Sequence, residues 1–282
     1  MHRTARRHTI RCMLNLSVST WSLHRTLGKP AMFGPADAPV DEPNSDAAHA
    51  LLTLPAQLAA FGIRTLELCH FHVRSTDAAY LAALKQSLGD AGVTLHCLLI
   101  DAGDLTHAEH AVRDEAWIAR WVDVAAALGA KTARVIAGMA EPSDAALAQS
   151  AAALSRLAAF AAARGVRVVI ENFYATTGTP SAVHALLAQS QGDIGFKLDF
   201  GNWRGPGKYE LLAEIASLAE SVHAKASFTG PYQPAVDDYT RCLQMMRAVN
   251  FSGPCTLIYD DASGPDEFRG LAAERELAVA VL

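Results

Sequence analysis

An α/β protein closed into a single-domain (β/α)8 TIM barrel is the fold the sequence predicts, and three observations predict it. Short apolar, β-prone runs recur at residues 14–20, 65–69, 94–100, 132–137, 167–172, 195–200, 221–226 and 255–259. Ala- and Leu-rich segments at helical spacing lie between them, among them 78–88, 114–128, 145–163 and 239–249. Strand–helix units in series make a parallel sheet, and eight such units close a barrel. Thirdly, Gly62, Gly92, Gly129 and Gly165 each stand just before a strand run, where glycine accepts the left-handed conformation that ends a helix. An open doubly wound sheet is the competitor, but it would usually carry a Gly-rich phosphate loop after an early strand. No GxGxxG or GxxxxGK[ST] occurs.

The length of 282 residues suits one barrel domain, and 51% hydrophobic residues supply a large core. Residues 1–12 carry Arg3, Arg6, Arg7 and Arg11 without an acid or a following apolar core. They are expected to form a loose N-terminal extension, leaving residues 13–282 as the barrel. No run reads as long and apolar enough to span a bilayer. A formal net charge of −5 argues against a nucleic-acid partner, because phosphate binding wants a basic face. The five cysteines Cys12, Cys69, Cys97, Cys242 and Cys255 are scattered without a CxxC pair. That pattern fits reduced thiols and a cytoplasmic protein. A nucleophilic cysteine and a serine hydrolase both lack a supporting motif.

The chemistry is concentrated in three strand ends. Val168-Val169-Ile170-Glu171-Asn172, Phe196-Lys197-Leu198-Asp199-Phe200-Gly201-Asn202 and Ser221-Val222-His223-Ala224-Lys225 each turn from apolar to polar at their last residues. Successive barrel strands would gather Glu171, Asp199 and His223 at the mouth. Two carboxylates and an imidazole suit one divalent ion of Mn, Mg, Co or Zn better than they suit a thiolate site. Their ligand atoms should lie within roughly 3–5 Å of a common point.

The same segments resemble the xylose-isomerase-like TIM-barrel superfamily of the sugar phosphate isomerase/epimerase type. That superfamily also includes ketose 3-epimerases, inosose dehydratase and an apurinic endonuclease. The likeness covers almost the whole chain after Met13, including Ser17-Val18-Ser19-Thr20-Trp21-Ser22-Leu23-His24 and Leu66-Glu67-Leu68-Cys69-His70-Phe71-His72. Asp199-Phe200-Gly201-Asn202 resembles the family's Asp-x-Gly-His/Asn turn, and His223-Ala224-Lys225 its His-x-Lys strand end. The resemblance implies that Glu171, Asp199 and His223 are three of four metal ligands. The fourth is usually a glutamate on the eighth strand, where this chain has Ile258. Strand alternation puts Asp260 on the same face one pleat further out, so Asp260 could supply an oxygen directly or through water. Water alone, with Asp260 merely capping a loop, is the other reading.

The resemblance implies an isomerase or epimerase acting on a sugar, sugar acid or related hydroxy-ketone. The cation would acidify a C–H beside a carbonyl and stabilise the enediolate. Glu171 is the expected base. The symmetrical two-glutamate epimerase is disfavoured because the second glutamate is missing. Lys197 should point into the barrel as an oxyanion stabiliser or ion-pair partner, and His70 with His72 could form an acid–base pair or be satisfied core histidines. Expected at the substrate are His24, Trp21, Arg134, Lys225, Asn202 and Trp203, with Phe173 and Tyr174 as stacking candidates, although Arg134 could equally pair with a core acid. Glu67 reads as substrate-facing or paired with a helix arginine. Rival readings are a metal-dependent dehydratase or lyase, and a non-catalytic barrel subunit that lost the eighth-strand glutamate. The expected partners are a small carbohydrate, no nucleic acid, no membrane, and possibly further copies of the chain.

Overall fold

A computed structural model describes residues 15–191 and 194–282. Residues 1–12, expected as a loose extension, lie outside them, as does Leu14 of the first strand run. Eight parallel strands close into a barrel: β1 (Leu16–Ser19), β2 (Thr65–Cys69), β3 (Thr94–Leu99), β4 (Thr132–Arg134), β5 (Arg167–Glu171), β6 (Gly195–Asp199), β7 (Ser221–Lys225) and β10 (Cys255–Ile258). Each barrel strand pairs with its sequence neighbour, and Leu16 opposite Cys255 closes the ring. Buried apolar residues such as Val18, Leu66, Leu68, Val168, Ile170, Leu198 and Val222 alternate along these strands with buried polar ones such as Ser17, Glu67, Lys197 and His223. Their outward residues meet a sheath of helices: α1 (Asp46–Phe61), α2 (Ala78–Ala91), α3 (Ala111–Leu128), α4 (Asp144–Ala162), α5 (Pro180–Gln189), α6 (Lys208–Ile215), α7 (Val236–Ala248) and α8 (Glu267–Val281).

Capping side chains set where several helices start. Ser45, Asp77, Ser143, Thr179 and Asp266 each accept a backbone N–H from the first turn. Glycine ends three of them in the left-handed conformation, at Gly62 (φ 88°), Gly92 (φ 60°) and Gly129 (φ 79°). The predicted strand at 132–137 is shorter than expected: β4 ends at Arg134, with the Val135 N–H still bonded to the Val169 carbonyl. Two short strands were not foreseen: β8 (Phe228–Gly230) and β9 (Gln233–Pro234) form a small antiparallel hairpin after β7.

One sequence expectation is corrected. By length and composition alone, α4 is long and apolar enough to cross a bilayer, with a mean hydropathy of 1.3. In the fold it is a barrel helix that packs on α3, α5 and β5 through Leu147, Ala151, Leu154, Leu157 and Ala161. That i, i+3, i+4 stripe is the spacing of a core-facing helix. The described cysteines Cys69, Cys97, Cys242 and Cys255 are all free and buried.

Candidate metal centre

Alternation along three adjacent strands aims the candidate ligands inward. Glu171 is the last residue of β5, Asp199 ends β6, and His223 sits opposite Asp199 in the β6–β7 register. Their ligand atoms lie within 4.8 Å of one another, and all three residues are buried. The expected convergence is therefore present: His223 Nδ1 stands 3.3 Å from Glu171 Oε1 and 3.6 Å from Asp199 Oδ2.

The surrounding bonds leave one set of donor atoms facing the common point. Asp199 Oδ1 accepts the backbone N–H groups of Gly201 (2.6 Å) and Asn202 (2.8 Å), which leaves Oδ2 toward His223. Asn172 clamps the same residue from the backbone side, accepting the Asp199 N–H and donating to its carbonyl. Asn202 also donates its side-chain amide to Glu171 Oε1 at 2.8 Å. Glu171 Oε2 is buried without a hydrogen bond, 3.1 Å from Arg134 Nε in an ion pair of poor hydrogen-bond geometry. The guanidinium charge, rather than a hydrogen bond, offsets the cost of burying that oxygen. The donor set, two carboxylates and an imidazole converging in a buried cluster, fits a hard or borderline divalent cation.

The charges here are tightly linked. Burial opposes ionisation of Glu171, but His223 and Arg134 outweigh it and hold the carboxyl below its ordinary range. For His223 burial again works against charge, yet Glu171 and Glu67 with Asp199 push it up to about 10. Arg134 is enclosed between two acids, bonded to Asp101 and paired with Glu171. Asp101, held well below its ordinary range by Arg134 and His70 despite burial, keeps Oδ2 without a hydrogen bond.

A cavity of about 80 Å³ lies over the cluster, walled by Ser19, Trp21, Asp101, Arg134, Phe173 and Ile258 among others. It brings together Trp21, Arg134, Asn202 and Lys225 of the expected substrate side chains. The aromatic Phe173 lies beneath the Arg134 guanidinium at 5.5 Å, whereas Tyr174 is exposed outside. Gly201 lets the turn approach β7, since a Cβ there would come within 3.0 Å of Lys225 Cδ.

Other expected site residues stand elsewhere. Asp260 does not join the ligand cluster: Lys225 Nζ holds its carboxylate at 2.6 Å, and it faces a neighbouring cavity of about 330 Å³ shared with His24. Its place beyond the end of β10 carries it past the cluster. Ile258 occupies the wall position instead. Lys197 does point inward, but one layer deeper, where its ammonium is fully buried against Glu67 rather than at the cavity. His70 is a satisfied core histidine: Nε2 meets the Phe33 carbonyl, Nδ1 accepts the Asp101 N–H, and its ring packs edge-on against Trp117 and Trp121. His72 pairs its Nδ1 with the Thr20 hydroxyl, and burial, reinforced by His24, pushes its pKa well down. Trp203 is buried away from the cavity wall. Asp101 was missed, although Leu98-Leu99-Ile100-Asp101 has the same apolar-to-acid ending as the three segments singled out.

This barrel with its acid–imidazole cluster defines a class, and the comparisons agree with it. The family model described as xylose isomerase-like TIM barrel matches residues 55–279. The chain therefore belongs to that family. Among curated proteins, none matches it. Of solved structures, a D-allulose 3-epimerase from Methylomonas sp. in complex with D-allulose has a TM-score of 0.72 at 17% identity, covering 95% of this chain and 97% of that one. A xylose isomerase-like TIM barrel protein from Mycobacterium smegmatis in complex with magnesium gives 0.69 at 14%, covering 96% and 98%. The E. coli 3-keto-D-glucoside 4-epimerase gives 0.64 at 14%, covering 93% and 99%. At these identities the likeness is one of fold.

Proposed function

We propose that the protein is a divalent-metal-dependent isomerase or epimerase acting on a sugar, sugar acid or related hydroxy-ketone. The carrying observation is the convergence of Glu171, Asp199 and His223, whose candidate ligand atoms lie within 4.8 Å of one another in a buried cluster. Magnesium in one fold relative and a bound ketose in another support the reading. A bound cation would polarise a substrate carbonyl and lower the acidity barrier at the adjacent carbon.

The chain's own groups then do the rest. Glu171, ionised through its charged neighbours, accepts the carbon-bound proton. Asn202 and Arg134 hold its two oxygens in place, one each. Trp21 and Phe173 offer flat apolar walls for the faces of a sugar ring or chain. Lys225 presents an ammonium at the cavity, steadied by Asp260, as a hydrogen-bond donor to a substrate oxygen. Ile258 supplies no second carboxylate. That favours one-base transfer between neighbouring carbons over two-base epimerisation, and it keeps a dehydratase as the second reading.

Elemental analysis of the purified protein beside a Glu171→Ala/His223→Ala double variant tests the centre. Near-stoichiometric metal in the wild type and its loss in the variant is the expected result. Incubation of ketoses and keto-acids in D2O then reads the reaction by NMR. Deuterium entering a product of unchanged composition supports isomerisation or epimerisation, and loss of water supports the dehydratase. A protein that takes up no divalent metal, even after reconstitution, refutes both.

A further inference from the structure

Beneath the cluster, a second layer of polar side chains crosses the barrel. Glu67 on β2 is fully buried, as are Lys197 on β6 and Thr256 on β10. Glu67 Oε1 accepts from Lys197 Nζ at 2.5 Å and from the Thr256 hydroxyl at 2.9 Å. Its other oxygen, Oε2, lies 2.7 Å from His223 Nε2. Both nitrogens of the imidazole are thereby assigned: Nε2 turns down to Glu67, and Nδ1 turns up to Glu171 and Asp199.

We propose that Glu67 is a positioning residue for the metal centre, holding the proton of the neutral His223 ring on Nε2 so that the Nδ1 lone pair faces the cavity. The inference rests on the metal reading given above. Hydrogen bonding at the far nitrogen of a ligating histidine selects the tautomer and orients the ring. A carboxylate can only accept from a neutral imidazole, so Glu67 admits the Nε2–H tautomer alone. Lys197 and Thr256 make the arrangement one-way. Lys197 can only donate, so Oε1 is committed to it and Oε2 to the histidine. The lysine thus acts at the metal centre through two intermediaries, from a depth where it touches no substrate.

The test is Mn²⁺ binding, by calorimetry and by loss of the free-ion EPR signal, to wild type and Glu67→Gln. The amide is nearly isosteric. Its oxygen must face Lys197 and Thr256, which leaves its NH2 toward His223 Nε2 and forces the neutral ring into the Nδ1–H tautomer. Affinity should fall by about 10–100-fold, the scale measured for outer-shell partners, with the fold retained by circular dichroism. Adding Lys197→Met frees the amide to turn over and accept from Nε2–H, so Glu67→Gln/Lys197→Met should recover most of the loss. A purely structural role predicts no such recovery. Equal Mn²⁺ affinity in wild type and Glu67→Gln overturns the inference, and so does a double variant no better than the single one. If Glu67→Gln does not fold, nitrogen-15 NMR of the Zn²⁺-loaded wild type decides: His223 protonated at Nε2 supports the inference, and protonation at Nδ1 overturns it. Wild type that binds neither ion instead refutes the metal centre itself.

Discussion

Loading the centre with Mn²⁺ should expel close to one proton per site near neutral pH. In the metal-free protein His223 is pushed up to about 10, with Glu171, Glu67 and Asp199 prevailing over burial. Ligation requires the neutral ring, so binding competes with that proton. At pH 7 the ring sits about three pH units below its midpoint, and at about 1.4 kcal/mol per unit the competition costs about 4 kcal/mol. Apparent affinity should therefore rise about tenfold per pH unit across pH 6.5–8.5. The stability of the metal-free protein runs the other way. A histidine whose pKa rises on folding contributes stability that is complete below the unfolded value of 6.5 and is lost as pH climbs through about 10. Calorimetry in buffers of different ionisation enthalpy counts the protons, and a His223→Ala control removes the effect. An affinity flat across that window, with no proton released, would refute the charge assignment at the heart of the site.

Further expectations concern single side chains. Asp260→Ala should leave the Mn²⁺ Kd within about threefold, because Lys225 holds that carboxylate away from the cluster; a loss on the ~10–100-fold scale of outer-shell partners, measured in the same titration, would return Asp260 to the centre. Glu274, fully buried on α8, has its pKa pushed well up, chiefly by burial. A carboxyl held protonated by the fold stabilises fully below its unfolded value near 4.5 and progressively less as pH rises toward the folded one. Urea unfolding of Glu274→Gln at pH 8 should give a midpoint at or above wild type, and a clearly lower one would count against a neutral Glu274. Gly270→Ala would place a Cβ 2.3 Å from the Tyr259 ring, and the overpacking should cost about 1–3 kcal/mol in the same assay; an unchanged midpoint would show that the ring yields freely.

The strand ends carried the cluster in plain view because strand periodicity and the apolar-to-polar switch are both local signals. Glu171, Asp199 and His223 each occupy an inward position of a short run, and barrel closure needs nothing more to bring them together. The layer below was not legible in the same way. Glu67 meets its partners across 130 and 156 residues of sequence, and only the closed ring places β2 over β6 and β7. His70 and His72 illustrate the opposite case. The candidate ligands lie within their strands, whereas these two follow β2 in a helical turn that takes both rings off the barrel mouth and into aromatic packing. The β8–β9 hairpin carries a proline and a glycine in place of a regular alternation, so no periodicity announced it.

The turn after β6 fastens two candidate ligands at once, since Asn202 reaches Asp199 through its backbone and Glu171 through its side chain. The two carboxylates therefore share one anchor in Asn202. Their spacing is thus tied to a single residue, and spacing is what a bound cation would sense. Substitution at position 202 removes the side-chain half of that anchor, freeing Glu171 from Asp199 while leaving both carboxylates and their charge in place.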